Sequence, residues 1–197
     1  MKSAADALKD FTQFKDIVRS RLLNRKPRIL EYPGYMPAAV MILFMIKDGE
    51  THVLLTRRSD KVKTHKGEMS FPGGGYDDKD GDILATAYRE TEEEVGISKE
   101  QIEYLGRFDD YISIFGFHVT PLVGAIEYPV SYVFNEDEID DYTEAPISLF
   151  VERKYDKIQY VTYNDRQYKV YHYFYEDHEI WGLTARILTD FAEEILY

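Results

Sequence analysis

Apolar and polar positions follow one another along the chain in short periodic segments that predict an α/β domain. Residues 38–46, AAVMILFMI, form an almost continuous apolar run, which is typical of a strand buried on both faces. Asp48-Gly49 is a turn signal, and residues 52–56 return as a second strand. The two segments therefore predict the centre of a sheet.

Two helices are predicted near the ends of the chain. Residues 3–24 place apolar side chains at helical spacing, namely Leu8, Phe11, Phe14, Ile17, Val18, Leu22 and Leu23. This stripe packs either on the domain itself, which we favour, or on a second subunit. The last helix is predicted to open at Trp181-Gly182 and to run to about Leu196.

Further strands are predicted between these helices. Gly116 and Gly124 mark bulges or close contacts within the longest strand, and Asn164-Asp165 turns between the last two. An acidic loop at residues 135–141 and a short helix at 147–153 come before the final pair. The predicted strands are residues 102–108, 111–126, 157–163 and 168–175.

The most informative helix is predicted from about Ile83, with Asp82 as its N-cap and Gly96 as the left-handed residue that ends it. Positions three and four apart are neighbours on a helix surface, so three acids share one arc. These acids are Glu90, Glu93 and Glu94. Three like charges this close repel one another, and a hard cation with oxygen ligands would compensate them. The alternative is a solvated acidic face with incidental ion pairs.

Hydrolysis of a diphosphate would need such a metal site. A bound metal neutralises charge on the phosphoryl oxygens and lowers the pKa of an attacking water. Arg89 lies next to Glu90 and four residues before Glu93, where it can hold a carboxylate through a bidentate pair. The preceding turn, residues 72–75, carries little side-chain bulk, so backbone and substrate can approach closely.

A locally basic stretch, residues 57–66, contrasts with the formal net charge of −12 for the whole chain. Arginine offers a planar fork that matches phosphate oxygens, so we expect this stretch to bind substrate phosphate rather than to be an ordinary solvated loop. The candidate substrate-binding residues are Arg57, Arg58, Lys63, His65, Gly73 and Gly74.

Composition narrows the class of protein further. The net charge of −12 and a pI near 4.9 argue against nonspecific binding to nucleic acid or to anionic membranes. The chain has no cysteine, which excludes disulfides, thiolate metal sites and thiol nucleophiles. No stretch approaches the ~20 apolar residues of a membrane span, and the N-terminus lacks the apolar core of a signal peptide. We therefore expect a cytoplasmic protein.

Residues 74–97 resemble the Nudix box, G-x5-E-x7-R-E-U-x-E-E-x-G-U, in which U is apolar. The residues that match by position are Arg89, Glu90, Glu93, Glu94, Gly96 and Ile97, and Thr91 stands at an apolar position. The front half is out of register. Counting back from Arg89 puts Gly81 at the acid position. Counting forward from Gly74 puts Asp80 there, with one extra residue before the arginine.

Two more segments resemble the coenzyme A diphosphatase branch of the Nudix hydrolases. LLTRRS at 54–59, His65, Gly67-Glu68 and SFPGG at 70–74 are similar to its LLTxRSxxLxxHxGxxxFPGG signature. Residues 180–188, IWGLTARIL, are similar to its IWGxTARIL segment. That branch also tends to show the extra residue before the box arginine, so the register shift agrees with the resemblance.

The resemblance implies a Nudix fold, a mixed β-sheet in an α/β/α sandwich. It would span residues 35–197, after an N-terminal helix and connector at 1–34. By family habit it also implies a homodimer. The implied reaction is Mg²⁺- or Mn²⁺-dependent hydrolysis of coenzyme A or its derivatives to 3′,5′-ADP and 4′-phosphopantetheine. The alternatives are a diphosphatase for ADP-ribose or nucleoside diphosphate sugars and a non-catalytic binding protein of the same fold.

The resemblance also assigns roles to residues of this chain. Glu90, Glu93 and Glu94 are the expected metal ligands, and Arg89, Glu93 and Glu94 are expected in catalysis. Glu138, in the acidic loop, is a candidate base or extra metal ligand, although a solvated loop acid is the plainer interpretation. Because the acid cluster is intact, catalysis is favoured over mere binding.

Overall fold

The structure, a computed structural model, describes residues 8–59, 67–163 and 166–197. The first helix, α1, runs over Phe11–Asn24 and begins after Asp10, whose carboxylate accepts a hydrogen bond from the backbone N–H of Gln13 at 3.1 Å. The prediction that this helix covers residues 8–10 was wrong, because Asp10 caps the helix at that point. Residues 1–7 lie outside the described residues.

The apolar stripe of α1 packs on the domain itself. Phe14, Val18 and Leu22 are buried in the larger of two hydrophobic clusters, which also contains side chains from the sheet. The favoured prediction of packing within the domain is therefore confirmed. The division of the chain at residue 34 stays a prediction.

One mixed sheet dominates the described part of the chain. Its strands are β1 (Met36–Lys47), β2 (Glu50–Arg58), β3 (Met69–Ser70), β4 (Gly73–Gly75), β5 (Glu103–Arg107), β6 (Tyr111–Ile112), β7 (Phe117–Ala125) and β8 (Ile139–Pro146). The order is β3-β2-β1-β7-β5, and β4, β6 and β8 pair with β1, β7 and β2 respectively. Strands β1 and β7 are parallel, and the other pairs are antiparallel.

Strand β1 shows why the sheet is covered on both sides. Successive side chains of a strand point to opposite faces, and here both sets are apolar. Ala39, Met41, Leu43 and Met45 belong to one buried cluster, and Ala38, Ile42 and Phe44 belong to the other. The first cluster lies under helix α2 (Ile83–Val95), and the second packs against α1 and the C-terminal helix. This arrangement is the predicted α/β/α sandwich.

The C-terminal part adds a second, smaller sheet. It consists of β9 (Lys157–Tyr163), β10 (Arg166–Tyr175) and β11 (His178–Ile180), which follow the short helix α3 (Ser148–Val151). The chain ends in α4 (Gly182–Phe191) and a π-helical turn (Ala192–Leu196). The predicted pairing of β9 with β10 is confirmed, and the predicted turn at Asn164-Asp165 lies outside the described residues.

Two predicted boundaries were wrong. The strand expected over residues 111–126 is broken into β6 and β7 by a turn at Gly116 (φ +83°). The Ser113 hydroxyl closes this turn by accepting hydrogen bonds from the N–H groups of Phe115 and Phe117. The acidic loop is also shorter than predicted, because β8 begins at Ile139 and pairs with β2.

The helices of the domain are short compared with a membrane span. In the part of the chain that the structure describes, none of them is long and apolar enough to cross a bilayer.

Candidate active site

Helix α2 carries the acidic cluster, and both predicted ends are confirmed. Asp82 accepts a hydrogen bond from the N–H of Ala85 at 2.8 Å, which caps the first turn. Gly96 has φ +72° and donates its N–H to the carbonyl of Glu92, which ends the helix. The helix thus has a fixed start and a fixed end, and its side chains have a defined register against the sheet.

Asp80 occupies the acid position that counting forward from Gly74 predicts. Its two carboxylate oxygens accept hydrogen bonds from Arg89 Nε at 2.7 Å and Nη2 at 2.9 Å. The extra residue before Arg89 is accommodated by a short 3₁₀ turn at Asp78–Asp80 and by Gly81, which has φ +80°. The hydrogen bonds from Arg89 hold the pKa of Asp80 well below its usual range.

Arg89 therefore has Asp80 as its bidentate partner and uses its remaining nitrogen on two acids of α2. Its Nη1 donates to Glu90 at 2.7 Å and to Glu93 at 2.9 Å, and Nη2 also donates to the carbonyl of Gly75 at 3.1 Å. Burial raises the pKa of Glu90, although Arg89 opposes that shift. Glu93 remains more than half exposed. Arg89 thus joins the turn, the 3₁₀ segment and the helix.

The glycine turn lies directly against the acids of the helix. Gly73 has φ +156°, and its N–H donates to Glu94 Oε2 at 3.0 Å. A Cβ atom on Gly74 would lie 2.5 Å from the carboxylate carbon of Glu90. The absence of side chains here therefore permits a close approach of the backbone to both carboxylates. Their predicted contact with substrate stays a prediction.

Glu94 departs from the expectation of an acidic surface arc. Its side chain is only 1% exposed, and its Oε1 accepts a hydrogen bond from Arg58 Nη1 at 3.1 Å. Burial raises the pKa of Glu94 to about 7, although Arg58 and the N–H of Gly73 act in the opposite direction. The alternative of a solvated acidic face is therefore wrong for Glu94, because this part of α2 packs against β4, where the Gly73 N–H supplies a donor.

Glu138 lies close to the helix acids. The backbone N–H of Asn135 donates to the carbonyl of Glu94 at 3.1 Å, and the Asn135 side chain donates to Glu138 at 3.2 Å. The N–H of Ser59 donates to the Glu138 carbonyl at 2.7 Å. The charge of Glu138 contributes to the raised pKa of both Glu90 and Glu94. The structure therefore places Glu138 near the helix acids, and its role as a base or metal ligand stays a prediction.

The basic stretch is divided between the two faces of β2. Arg58 points to α2, whereas Arg57 pairs with Asp140 at 2.8 Å and with Asp141 at 3.5 Å. The two arginines therefore contact carboxylates of the protein. Lys63 and His65 lie outside the described residues, so their predicted roles stay predictions.

The carboxylates of the site offer oxygen ligands of the kind that a divalent cation prefers. Within residues 8–59, 67–163 and 166–197, no group of three or more histidine or acidic side chains is arranged to hold a metal as it stands. Instead, Arg58 donates a hydrogen bond to Glu94, and Arg89 donates to Glu90 and Glu93. The donor chemistry nevertheless fits a hard cation, because Glu90, Glu94 and Glu138 are all carboxylates, and the charge of Glu138 helps to raise the pKa of both Glu90 and Glu94. A cation among them would relieve this repulsion.

Two ion pairs of the site were not predicted, although the sequence contains a pattern that indicates each of them. The pairing of Arg58 with Glu94 follows from strand alternation, which puts position 58 on the same face as Leu54 under α2. The pairing of Asp80 with Arg89 follows from the forward count from Gly74. Neither contact was predicted as such.

A mixed sheet lies between helices, and a glycine turn and a Glu-rich helix pack together on one of its faces. The NUDIX domain family model matches residues 35–180, so the chain belongs to the Nudix family. It is a Nudix hydrolase, an enzyme of a family that acts on diphosphate compounds and generally uses divalent metal ions such as Mg²⁺ or Mn²⁺.

Several curated relatives carry the description "Uncharacterized Nudix hydrolase NudL". The protein of that name from Photorhabdus laumondii is 39% identical over 158 residues, which cover 80% of this chain and 84% of the relative. The one from Pectobacterium atrosepticum is 34% identical over 197 residues and covers 99% of this chain and 98% of the relative. The first relative thus matches four-fifths of the chain, and the second matches nearly its whole length.

Solved structures support the fold alone. A C. elegans Ap4A hydrolase in a binary complex has a TM-score of 0.50 and 21% identity, and covers 58% of this chain and 83% of its own. A MutT/nudix family protein from Enterococcus faecalis has a TM-score of 0.50 and 17% identity, and covers 98% of this chain and 74% of its own. At these identities the likeness is one of architecture.

Proposed function

We propose that this Nudix hydrolase cleaves the diphosphate bond of coenzyme A or its derivatives in the presence of Mg²⁺ or Mn²⁺. The observation that carries the proposal is the double contact of Glu94 with Arg58 and Gly73. Both partners belong to the two segments, LLTRRS and SFPGG, that resemble the coenzyme A branch. The segments with that resemblance therefore touch the acid at the centre of the site.

The proposed metal ligands are Glu90, Glu93 and Glu94. When bound, the metal supplies charge neutralisation at the phosphoryl oxygens and at the leaving group. Arg89 is the proposed positioning residue for Glu90 and Glu93, since one of its nitrogens contacts both carboxylates. Metal binding requires these carboxylates to exchange part of their contact with arginine for the cation.

Glu138 is the proposed general base. A water molecule attacks one phosphorus of the diphosphate, a new P–O bond forms, and the bond to the bridging oxygen breaks. Glu138 takes the proton of the water, and the products are 3′,5′-ADP and 4′-phosphopantetheine. Its position next to Glu90 and Glu94 supports this role.

Substrate phosphates would contact the basic stretch. Arg58 Nε is buried and has no hydrogen-bond partner among the described residues, so it is a donor that a phosphate oxygen can use. We propose Arg57, Lys63 and His65 as further phosphate contacts because they lie in the same basic stretch of the sequence. The backbone of the turn at Gly73 and Gly74 is proposed to contact the substrate as well.

Chromatographic analysis of products tests the proposal. The full chain is incubated with Mg²⁺ or Mn²⁺ and with coenzyme A, ADP-ribose or UDP-glucose in separate reactions. We expect coenzyme A to be turned over fastest, with 3′,5′-ADP and 4′-phosphopantetheine as products. Faster release of AMP from ADP-ribose, or of UMP from UDP-glucose, would overturn the coenzyme A assignment and retain the diphosphatase. No phosphate-ester product from any of them would favour a binding protein.

We also propose a homodimer, because β9 and β10 expose several large apolar side chains. They are Tyr160, Val161, Tyr168 and Phe174. Light scattering after size exclusion tests this directly: a mass near 46 kDa supports it, and one near the 23.1 kDa of the chain overturns it.

A further inference from the structure

A cavity of about 220 Å³ lies on the face of the sheet opposite α2. Arg57 and Arg58 are successive residues of β2 and point to opposite faces, so the first reaches this cavity and the second reaches Glu94. The cavity lies where the edge strand β3 of the main sheet meets the edge strand β11 of the smaller sheet. It is smaller than the ~300–1,000 Å³ of pockets for drug-sized ligands, so it suits a group the size of a nucleobase.

A buried histidine in the lining of this cavity has an unused hydrogen-bond acceptor. His178 lines the cavity, is only 9% exposed, and places Nε2 3.0 Å from Asp141 Oδ2. A carboxylate only accepts, so Nε2 carries the proton and Nδ1 of the neutral ring is an acceptor. Nδ1 is buried and has no hydrogen-bond partner among the described residues. An unmet buried acceptor of this kind calls for an N–H or O–H donor.

An indole ring supplies a stacking surface beside that acceptor. Trp181 lines the cavity and is 39% exposed. One of its faces stacks on the His172 ring, with centroids 5.8 Å apart and planes 2° from parallel. His172 is held in turn by Glu179, which lies 2.7 Å from its Nδ1. The indole is thus fixed, and a planar aromatic group can stack on its open part.

Two carboxylates of the lining, Asp177 and Glu179, favour an amino group over an anion in the space beside them. Arg57 is paired with Asp140 and Asp141, whereas Asp177 and Glu179 add two carboxylates to the lining. A phosphate or carboxylate ligand would face these acids, but an amino group would find acceptors. The thioether of Met69 completes the lining with a polarizable, apolar surface.

We propose that this cavity binds an aminopurine base, with Trp181 as its stacking surface and His178 Nδ1 as the acceptor for its exocyclic amino group. The base comes either from the adenine end of the diphosphate substrate or from a separate adenine nucleotide. Recognition in both cases uses the same amino group and the same ring. The first source rests on the proposed function, because the substrate must then carry adenine, as coenzyme A does. The second source is independent of which diphosphate the enzyme cleaves.

Intrinsic fluorescence tests the site directly, because Trp181 is the only tryptophan of the chain. The full chain is titrated with adenosine and, separately, with purine riboside, which lacks only the amino group. We expect a saturable change with adenosine and about 2- to 10-fold weaker binding of purine riboside, as one hydrogen bond is lost. The absence of a saturable change with adenosine, or equal binding of both nucleosides, would overturn the proposal.

A histidine variant separates the acceptor from general effects on the fold. In His178→Gln the amide can still donate to Asp141, but the Nδ1 acceptor is gone. We expect it to bind adenosine about 2- to 10-fold more weakly and to lose the preference over purine riboside. The matched control is His52→Gln, at another buried histidine, on β2, whose Nδ1 contacts the Glu50 carbonyl. Unchanged binding in His178→Gln, or an equal loss in the control, would overturn the assignment.

Steady-state kinetics distinguish the two sources of the base. If the substrate supplies it, adenosine inhibits hydrolysis competitively and His178→Gln raises KM without lowering kcat. If a separate nucleotide supplies it, adenosine binds by fluorescence and leaves the KM of the substrate unchanged. A chain that binds adenosine but does not cleave coenzyme A would overturn the proposed function and leave this site intact.

Discussion

Two arginine–carboxylate networks flank helix α2, and they differ in their surroundings rather than in their chemical groups. Arg89 joins Asp80, Glu90 and Glu93 in what we call the rim network, in which Glu93 is more than half exposed and the Asp80 side chain is 5% exposed. Arg58 joins Glu94 under the helix, where the carboxylate is shielded from water. In the rim network, hydrogen bonding to arginine lowers the pKa of Asp80. Beneath the helix, burial outweighs the arginine and raises the pKa of Glu94 to about 7.

The difference shows that an ion pair does not by itself stabilise a charge. The bidentate pair with Asp80 supplies strong hydrogen bonds, whereas Glu94 receives one bond from arginine and one from a backbone N–H. Loss of hydration costs the buried carboxylate more than these two contacts return. The rim network therefore orders the site, and the buried pair holds an acid whose charge is easily altered.

The largest effect is expected from Glu94→Gln. The change removes the buried charge and a proposed metal ligand, so we expect kcat to fall by about 10³-fold, or ~4 kcal/mol of transition-state stabilisation. Glutamine has nearly the same volume and still accepts from Gly73, so the fold is retained. Glu92→Gln changes an exposed acid of the same helix and serves as the control. A rate for Glu94→Gln within a few-fold of the wild type would remove Glu94 from the mechanism.

Removing the buried arginine comes next. Arg58→Met leaves Glu94 without its cation, so we expect the free energy of unfolding to drop by about 3 kcal/mol in urea denaturation at pH 8. The double variant Arg58→Met with Glu94→Gln should recover much of that loss, because no uncompensated charge remains. Arg57→Met, at the neighbouring position with exposed partners, should cost less than about 1 kcal/mol. Equal losses at positions 57 and 58 would contradict the contrast between the two faces of β2.

A smaller effect is expected from the glycine turn. Gly74→Ala puts a methyl group against the carboxylate of Glu90, which must move away from Arg89. We expect about a tenfold fall in kcat, or ~1.4 kcal/mol. A Cβ at Gly75 would meet no described atom within 4 Å, so Gly75→Ala is the control in the same turn. An equal fall in kcat for Gly74→Ala and Gly75→Ala would contradict the role of close packing between Gly74 and Glu90.

The smallest effect is expected from Asp80→Asn in the rim network. The Asp80 side chain is only 5% exposed, but asparagine still accepts a hydrogen bond and Arg89 keeps Glu90 and Glu93, so we expect a loss of about 1 kcal/mol in the free energy of unfolding at pH 7. The folded-state pKa of Asp80 lies below its ordinary value of 3.8, so its contribution is complete above that pH and is lost as the pH falls. The wild type and the variant should therefore converge in acid. Asp78→Asn, in the same 3₁₀ turn but exposed, should change nothing.

The local features of the chain were well predicted from the sequence. The ends of α2 follow from Asp82 and Gly96, because capping and a left-handed glycine depend on a few neighbouring residues. Strand β1 and the pairing of β9 with β10 follow from apolar pattern and turn signals in the same way. The family model then agrees with the Nudix fold expected from the box.

Features that depend on distant contacts were not predicted. Glu94 looks like a surface acid on a helical wheel, and only the position of β4 beneath the helix buries it. The sequence left Asp80 and Gly81 as alternatives, and the reach of the Arg89 side chain decides between them. The cavity beside His178 and Trp181 arises where two sheet edges meet, which no local pattern in the chain indicates.

The parallel pairing of β1 with β7 has a consequence for biosynthesis. Partners such as Met36 and Phe117 are about 80 residues apart in the chain, so the middle of the main sheet has a high contact order and closes slowly. During synthesis on the ribosome, the edge of β1 that pairs with β7 stays uncovered until residues 117–125 have been made. Nascent chains that stop before that point expose a long hydrophobic strand edge. They are therefore expected to depend on chaperones until β7 has emerged.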